Sequence, residues 1–302
     1  MSQVAAAESE KRWVAFTSVL AALGITAFKV VVGVLTGSLG ILAEAAHSGL
    51  DLLAAVMTLW SVGLSDRPAD DKHHFGHGKI ENMSALFQAI LLLTTCAWIF
   101  YEAYHRIRKG SAEVEVGFWS FAVIFTSIIV DFSRSRALGR MAKKHNSQAL
   151  EADALHFSSD IWSSCGVLAG LICVVIGNRV AGLGFLKWAD VAAAVAVALL
   201  TLWVTFSLAR RNVDVLLDAA PEGLEEKIRT ASLSVAGVTG THKIRVRTSG
   251  PKVVVELHVQ MDGALSLVAA HAKSGKVKAA IRKVVPGAEV TIHEEPAAPE
   301  EK

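Results

Sequence analysis

The chain has 302 residues, of which 52% are hydrophobic and 19% are charged, and its formal net charge is +2. A mean hydropathy of +0.43 is too high for an ordinary soluble domain and is typical of a chain that lies in a lipid bilayer. The small net charge gives no reason to expect a nucleic-acid partner. Cys96, Cys165 and Cys173 all fall in apolar runs, so a disulfide framework is not expected.

Six apolar stretches are long enough to cross a bilayer, at about residues 13–35, 41–63, 83–104, 116–133, 157–178 and 184–208. Lys and Arg are concentrated in the connections on the side that holds both chain ends. This bias predicts a multi-pass membrane protein whose termini face the cytoplasm. The predicted membrane domain covers residues 1–212.

The composition changes after Arg211, and a small α+β domain is predicted at residues 213–296. Its predicted elements are a helix opening at Pro221, strands at Thr241–Arg247 and Lys252–Met261, a helix from about Leu265 to Val285, and a strand at Glu289–Glu294. The order α-β-β-α-β predicts a ferredoxin-like sheet with helices on one face. Residues 297–302 are predicted to form a disordered tail.

Two histidine–aspartate pairs lie in apolar stretches, His47 with Asp51 and His156 with Asp160. Four residues make about one helical turn, so both side chains of a pair leave the same helix face. Ionisable groups at membrane depth are costly, and the repeated motif favours one shared metal site over two separate hydrogen-bonded pairs. Two imidazoles and two carboxylates suit Zn²⁺. Because imidazoles exchange protons near neutral pH, this set also predicts metal–proton exchange.

Two further histidine groups lie outside the predicted spans. Asp70, His73 and His77 follow the second span, and their close spacing predicts a divalent-ion site at the cytoplasmic mouth. The second group lies in the small domain, which has a thin core and is of a size that often needs a metal or a partner. Its members are His242, His258, His271 and His293, with Glu294 and Glu295 nearby. They predict a two-ion site at a subunit interface, with scattered surface histidines as the alternative.

Four segments together resemble the cation diffusion facilitator family, and most closely its bacterial zinc- and iron-efflux members. These segments are AEAAHSGLD in the second span, PADDKHHFGHGKIE in the following loop, ALEADALHFSSDIWSS at the fifth span, and SGPKVVVELHVQM with TIHEE in the small domain. The resemblance covers residues 13–295. It implies a transporter rather than an enzyme.

The resemblance implies a homodimer of six-helix protomers in a bacterial inner membrane, with a cytoplasmic domain for metal binding and dimerisation. It further implies Zn²⁺ export from the cytoplasm, driven by proton entry and by rocking between inward-open and outward-open states. The family's transport site maps to His47, Asp51, His156 and Asp160, and its loop site to Asp70, His73 and His77. Its small-domain ions map to His242, His258, His271, His293 and a carboxylate, and its dimer-hinge charge network maps to Lys79 with Asp218.

Two positions depart from patterns in this family. Some bacterial members carry Asp where this chain has His47, and the present set resembles the members that select zinc over cadmium. The bridging carboxylate of the small domain is usually Asp, whereas this chain has Glu295.

Fe²⁺, Cd²⁺ and Co²⁺ are the alternative substrates, because imidazole and carboxylate ligands also bind these ions.

Two other functional classes compete with an exporter. An intramembrane metalloprotease would need an H-E-x-x-H motif and an open metal position for water, and the sequence contains no such motif. A membrane metal sensor would use the small domain alone, but it would have no need for four ligands inside the membrane.

Overall fold

The computed structural model describes residues 3–109, 118–179, 189–250 and 252–297. Six long helices come first: α1 (Gln3–Thr36), α2 (Leu39–Ser65), α3 (Ile80–Lys109), α4 (Phe118–His145), α5 (Gln148–Arg179) and α6 (Ala189–Leu216). They are followed by α7 (Leu224–Leu233), β1 (Val238–Ser249), β2 (Lys252–Met261), α8 (Leu267–Val284) and β3 (Glu289–Pro296). By its contacts the chain divides into two compact units, which are described separately.

The first unit consists of Met1–Arg67 and Ile80–Asn212, and long helices dominate it. The helices continue past the predicted apolar stretches into polar sequence, and α4, for example, ends on Lys143, Lys144 and His145. Residues 116–117 and 184–188 of the predicted stretches lie outside the described residues. Within the described ranges, Ala6–Thr36, Glu44–Ser65 and Ile80–His105 are long and apolar enough to cross a membrane. The six-span arrangement therefore stays a prediction.

The helices of the first unit pack through small and apolar side chains. Helix α1 packs on α2 and α4, α4 packs on α5, and α3 packs on both α5 and α2. A cluster around the fully buried Phe157 includes Leu138, Leu150 and several alanines. Because alanine side chains are short, these helices approach closely enough to bring polar groups of neighbouring helices into contact.

The second unit consists of Pro68–Lys79 and Val213–Lys302. Its sheet has the order β1-β2-β3, with β1 antiparallel and β3 parallel to β2. One face of β2 carries the buried Val255, Leu257 and Val259, which pack with Ile228 of α7 and Ile281 of α8. The predicted α-β-β-α-β order is confirmed. Residues 298–302 of the predicted tail lie outside the described residues.

Candidate metal centres

The first candidate centre lies between α2 and α5 in the helical unit. Asp51, His156 and Asp160 each offer one ligand atom, and these atoms all lie within 4.8 Å of one another. His156 Nε2 is 3.0 Å from Asp51 Oδ1 and 3.6 Å from Asp160 Oδ2. The His156 side chain is only 3% exposed. We call these three residues the intramembrane trio.

His47, the fourth predicted member, lies beside the trio. Its Nε2 atom is 4.0 Å from Asp51 Oδ1, and its side chain is 36% exposed. The structure therefore brings three of the four predicted ligands together and places His47 at their edge. The i, i+4 spacing on α2 accounts for this position, because it puts His47 one turn from Asp51 on the same face.

A cavity of about 80 Å³ adjoins the trio. Its walls include His47, Asp51 and Asp160, together with Glu44 and Asp131. The lining residues continue toward the start of α2 and the later turns of α5, away from the end of the bundle where α3 and α5 begin. This cavity therefore extends from the trio toward the start of α2.

The charged residues around this cavity pair with one another. Lys29 of α1 is buried, and its Nζ lies 3.2 Å from Glu44 Oε2 and 2.8 Å from Ser48 Oγ. Asp131 Oδ1 lies 3.5 Å from Nη1 of the buried Arg134. The sequence pattern predicted no role for Asp131. Its charge near the end of an apolar stretch could have indicated this position, because ionisable residues in membrane segments usually face a cavity or a partner.

The second candidate centre is formed by Asp70, His73 and His77 in the loop segment of the second unit. His73 Nδ1 lies 3.1 Å from Asp70 Oδ1, and His77 Nε2 lies 3.4 Å from Asp70 Oδ2. The backbone N–H groups of His73 and Lys72 donate hydrogen bonds to Asp70 Oδ1, and these bonds hold the pKa of Asp70 below its usual value. The loop therefore holds an ionised carboxylate between two imidazoles, as a divalent-ion site requires.

The third candidate centre lies on the sheet of the second unit. His242, His258 and His293 occupy paired positions on β1, β2 and β3. Glu295 Oε1 lies 2.6 Å from His258 Nδ1, and Glu295 Oε2 lies 3.0 Å from His242 Nε2. The bond with His258 lowers the pKa of Glu295. His293 Nε2 lies 3.8 Å from Glu295 Oε1.

His271 lies apart from this centre, whereas His293 lies at its edge. His271 lies on α8 with an exposed side chain, whereas the grouped ligands are His242, His258 and Glu295. The sequence prediction included His271 because it is one of four histidines in the small domain and because the family resemblance implies it. In a single protomer the ligands come from the sheet.

The predicted charge pair is present in the second unit. Lys79 Nζ donates a hydrogen bond of 2.8 Å to Asp218 Oδ1 and another of 3.2 Å to the carbonyl of Leu216. Arg247 Nη1 lies 3.7 Å from Asp218 Oδ2, and its guanidinium group stacks on Phe75, 4.0 Å from the ring centre. The loop that carries Asp70, His73 and His77 is therefore fixed to the small domain at its own C-terminal end.

Two family models match this chain. Residues 15–217 match the cation efflux transmembrane domain, and residues 220–297 match the cytoplasmic domain of cation efflux proteins. The chain belongs to the cation efflux family. The family resemblance predicted from the sequence is therefore confirmed, and the chain is a membrane transporter by family.

Curated relatives agree with this membership of the cation efflux family. The cation-efflux pump FieF of Salmonella arizonae is 33% identical over 282 residues, which cover 91% of this chain and 89% of the pump. FieF of Salmonella schwarzengrund is 33% identical over 268 residues, which cover 86% of this chain and 84% of the pump. A solved structure of CzrB in its Zn form covers 28% of this chain and 98% of its own, at 24% identity. Its TM-score of 0.26 is too low to support a structural argument.

Proposed function

We propose that this chain is a proton-coupled antiporter that exports divalent metal ions, chiefly Zn²⁺, from the cytoplasm. The observation that carries the proposal is the intramembrane trio, with His47 beside it and a cavity on one side. Buried ionisable residues on apolar helices mark ion pathways more often than structural contacts. The FieF relatives are cation-efflux pumps, which supports the direction of transport.

The spacing of the donor atoms supports zinc. Ligands at about 2.0–2.1 Å from a tetrahedral Zn²⁺ are separated from one another by about 3.3 Å. His156 Nε2 is 3.0 and 3.6 Å from the two trio carboxylates, and His47 Nε2 is 4.0 Å from Asp51. In the proposed metal-bound state His47 moves toward the trio and completes a set of two nitrogen and two oxygen ligands. Fe²⁺, Co²⁺ and Cd²⁺ are the second-rank substrates, because their ligand preferences overlap with those of zinc.

Proton coupling follows from the chemistry of the ligands. An imidazole must be neutral to bind a metal, so metal entry displaces protons from His47 and His156. When the metal leaves, protons take its place and offset the negative charge of Asp51 and Asp160. The protein then returns to its starting state carrying protons in the opposite direction.

The proposed architecture is a homodimer in a bacterial inner membrane, with six spans in each protomer and both termini in the cytoplasm. We place the membrane domain at residues 1–212 and the cytoplasmic domain at residues 213–296. The match of residues 220–297 to a cytoplasmic efflux domain supports this division. The loop centre and the sheet centre are proposed resident metal sites of the cytoplasmic side, and the second takes its ligands from His242, His258, His293 and Glu295.

A transport assay distinguishes a metal exporter from a membrane protein that only senses metal ions. The purified chain is reconstituted into proteoliposomes, and the entry of Zn²⁺, Fe²⁺, Co²⁺ and Cd²⁺ is followed with and without an imposed pH gradient. We expect zinc flux to be the fastest and to depend on the gradient. Zinc binding without flux of any of these ions would instead identify the protein as a sensor.

A further inference from the structure

Glu81 connects several elements at the end of the helical unit where α3 and α5 begin. Glu81, the second residue of α3, is fully buried, yet its carboxylate has partners on three other elements. Oε1 accepts a hydrogen bond of 3.0 Å from Ser65 Oγ and lies 3.4 Å from Lys11 Nζ. Oε2 accepts a bond of 2.5 Å from Ser147 Oγ, which also caps the start of α5. Lys11 is paired with Asp66 as well.

These contacts join α3 to a tightly packed group of helices. Helix α1 packs on α2 and α4, α5 packs on α4 and α2, and α3 lies against α2 and α5. Glu81 reaches α1 through Lys11, the end of α2 through Ser65, and the start of α5 through Ser147. One side chain therefore connects α3 to α1, α2 and the start of α5 at this end.

A row of buried residues, most of them polar, runs along three helices from Glu81 toward the trio. Three helices contribute buried residues at spacings of three and four, which keeps them on one face of each helix. They are Ala54, Thr58, Ser61 and Ser65 on α2, Glu81, Ala85 and Gln88 on α3, and Ala149, Asp153 and His156 on α5. Gln88 Nε2 donates a bond of 2.5 Å to Thr58 Oγ1, which shows that the faces of α2 and α3 meet. We call this set the Glu81 seam.

The middle of the Glu81 seam contains polar atoms that lack a hydrogen-bond partner. Asp153 is fully buried beside Thr58, and neither of its carboxylate oxygens makes a hydrogen bond of ordinary geometry with the described residues. The same holds for Gln88 Oε1. Burying a carboxylate without partners is costly, and protein interiors rarely keep such a group unless water or an ion reaches it in another state. If these residues only held the helices together, apolar side chains at the same positions would stabilise the packing more.

We propose that the Glu81 seam is the closed entry path for a hydrated divalent cation, and that Glu81 is the latch that keeps it closed. The inference rests on the proposed transport function, in which the trio must open in turn to both sides of the membrane. In this structure the polar cavity lies on the opposite side of the trio. Opening toward the cytoplasm separates α3 from α2 and α5, breaks the contacts of Glu81, and exposes Asp153 to the entering cation.

The accessibility of a cysteine in the seam tests the latch without measuring flux. Ser61→Cys is introduced into a chain in which Cys96, Cys165 and Cys173 are replaced by alanine. Ser61 is fully buried between Glu81 and the trio, and cysteine has nearly its shape. Inverted membrane vesicles are then treated with a membrane-impermeant thiol reagent. The labelling rate is compared between the chain with Glu81 and the chain with Glu81→Gln.

Glu151→Gln is the matched control. Glu151 forms a 2.9 Å ion pair with Arg211 near the same end of α5, but its side chain is partly exposed and lies outside the seam. We expect Glu81→Gln to accelerate labelling about tenfold or more, as the loss of a charged hydrogen-bonding partner shifts a two-state equilibrium. We expect Glu151→Gln to leave the rate unchanged. Equal rates in the two variants would overturn the latch, as would rapid labelling with Glu81 intact.

If Glu81→Gln does not fold, two variants that disturb the Glu81 contacts less can still test the latch. Ser65→Ala and Ser147→Ala each remove one donor to Glu81 and leave the carboxylate in place. Faster labelling in either variant supports the latch, and unchanged rates in both contradict it.

Zinc flux measured in the same vesicles tests the transport function separately. Accelerated labelling without any zinc flux would uphold the latch and contradict the transport proposal. Zinc flux without accelerated labelling would uphold the transport proposal and contradict the latch.

Discussion

At the residue scale, the candidate centres share one arrangement, in which a carboxylate lies between imidazoles. Asp51 and Asp70 each lie within hydrogen-bonding or ion-pairing distance of two histidines, and Glu295 lies within that distance of three. In this position the carboxylate and imidazole donor atoms already point at one another, and a bound divalent ion would take the place of the contacts between them. This arrangement suggests that little reorganisation is needed for binding.

Replacing Glu295 tests the sheet centre. In a chain whose other two centres are removed by Asp160→Asn and Asp70→Asn, Glu295→Gln is expected to weaken zinc binding roughly tenfold or more. The loss follows because an amide is a poorer zinc ligand than a carboxylate. Glu294→Gln is the control, since Glu294 is exposed on the opposite face of β3. Calorimetric titration that gives equal affinities for the two variants would remove Glu295 from the centre.

The pH dependence of zinc binding at the sheet centre follows from the same contacts. The pKa of Glu295 is lowered from 4.5, so its carboxylate is ionised above that pH and is neutralised only in stronger acid. Free imidazole takes up a proton near pH 6.5, and a protonated imidazole does not bind metal. We therefore expect zinc affinity to fall as the pH is lowered from about 7.5 to about 5.5. An affinity that is constant over this range and falls only below pH 4.5 would contradict imidazole ligation.

Sequence spacing predicts contacts within one helix, but it does not predict contacts between helices. The pairs His47–Asp51 and His156–Asp160 were recognisable because one turn separates their members. Asp131 and Asp153 gave no comparable signal. Their places beside the cavity and in the Glu81 seam depend on how α4 and α5 pack against other helices, which periodicity does not determine.

At the element scale, the loop Pro68–Lys79 belongs with the small domain, although the sequence prediction assigned it to residues 1–212. Hydropathy could not show this, because the attachment is made by individual contacts. They are the ion pair of Lys79 with Asp218 and the stacking of Arg247 on Phe75. In contrast, the α-β-β-α-β order could be predicted, since alternation in β2 and the turn at Gly250 are local features.

Gly78 tests the attachment of this loop. A Cβ atom at this position would lie 2.4 Å from the carbonyl oxygen of Ser249 and 2.8 Å from the amide nitrogen of Gly250. Gly78→Ala is therefore expected to displace the loop from the β1–β2 turn, to lower the melting temperature by several degrees, and to increase proteolysis within the loop. The control is Gly275→Ala in α8, where a Cβ atom meets nothing within 4 Å. Similar melting and cleavage in both variants would contradict the attachment.

At the scale of the whole molecule, a transporter needs a binding site that opens to one side at a time. The trio adjoins a cavity on one side, and the Glu81 seam closes the path on the other. The family membership shown by residues 15–217 and 220–297 accounts for both the helical part and the small domain. The combined sequence and structure thus support one proposed cycle, in which metal and protons occupy the same ligands alternately.

Gradient-driven zinc uptake into proteoliposomes, compared between the unaltered chain and Asp160→Asn, tests the central claim most directly. Glu151→Gln serves as the control, because its ion pair with Arg211 lies away from the trio. We predict rapid uptake by the unaltered chain and the control, and loss of nearly all uptake in Asp160→Asn with unchanged dimer elution. Full zinc uptake by Asp160→Asn would contradict the claim that the trio carries the transported ion.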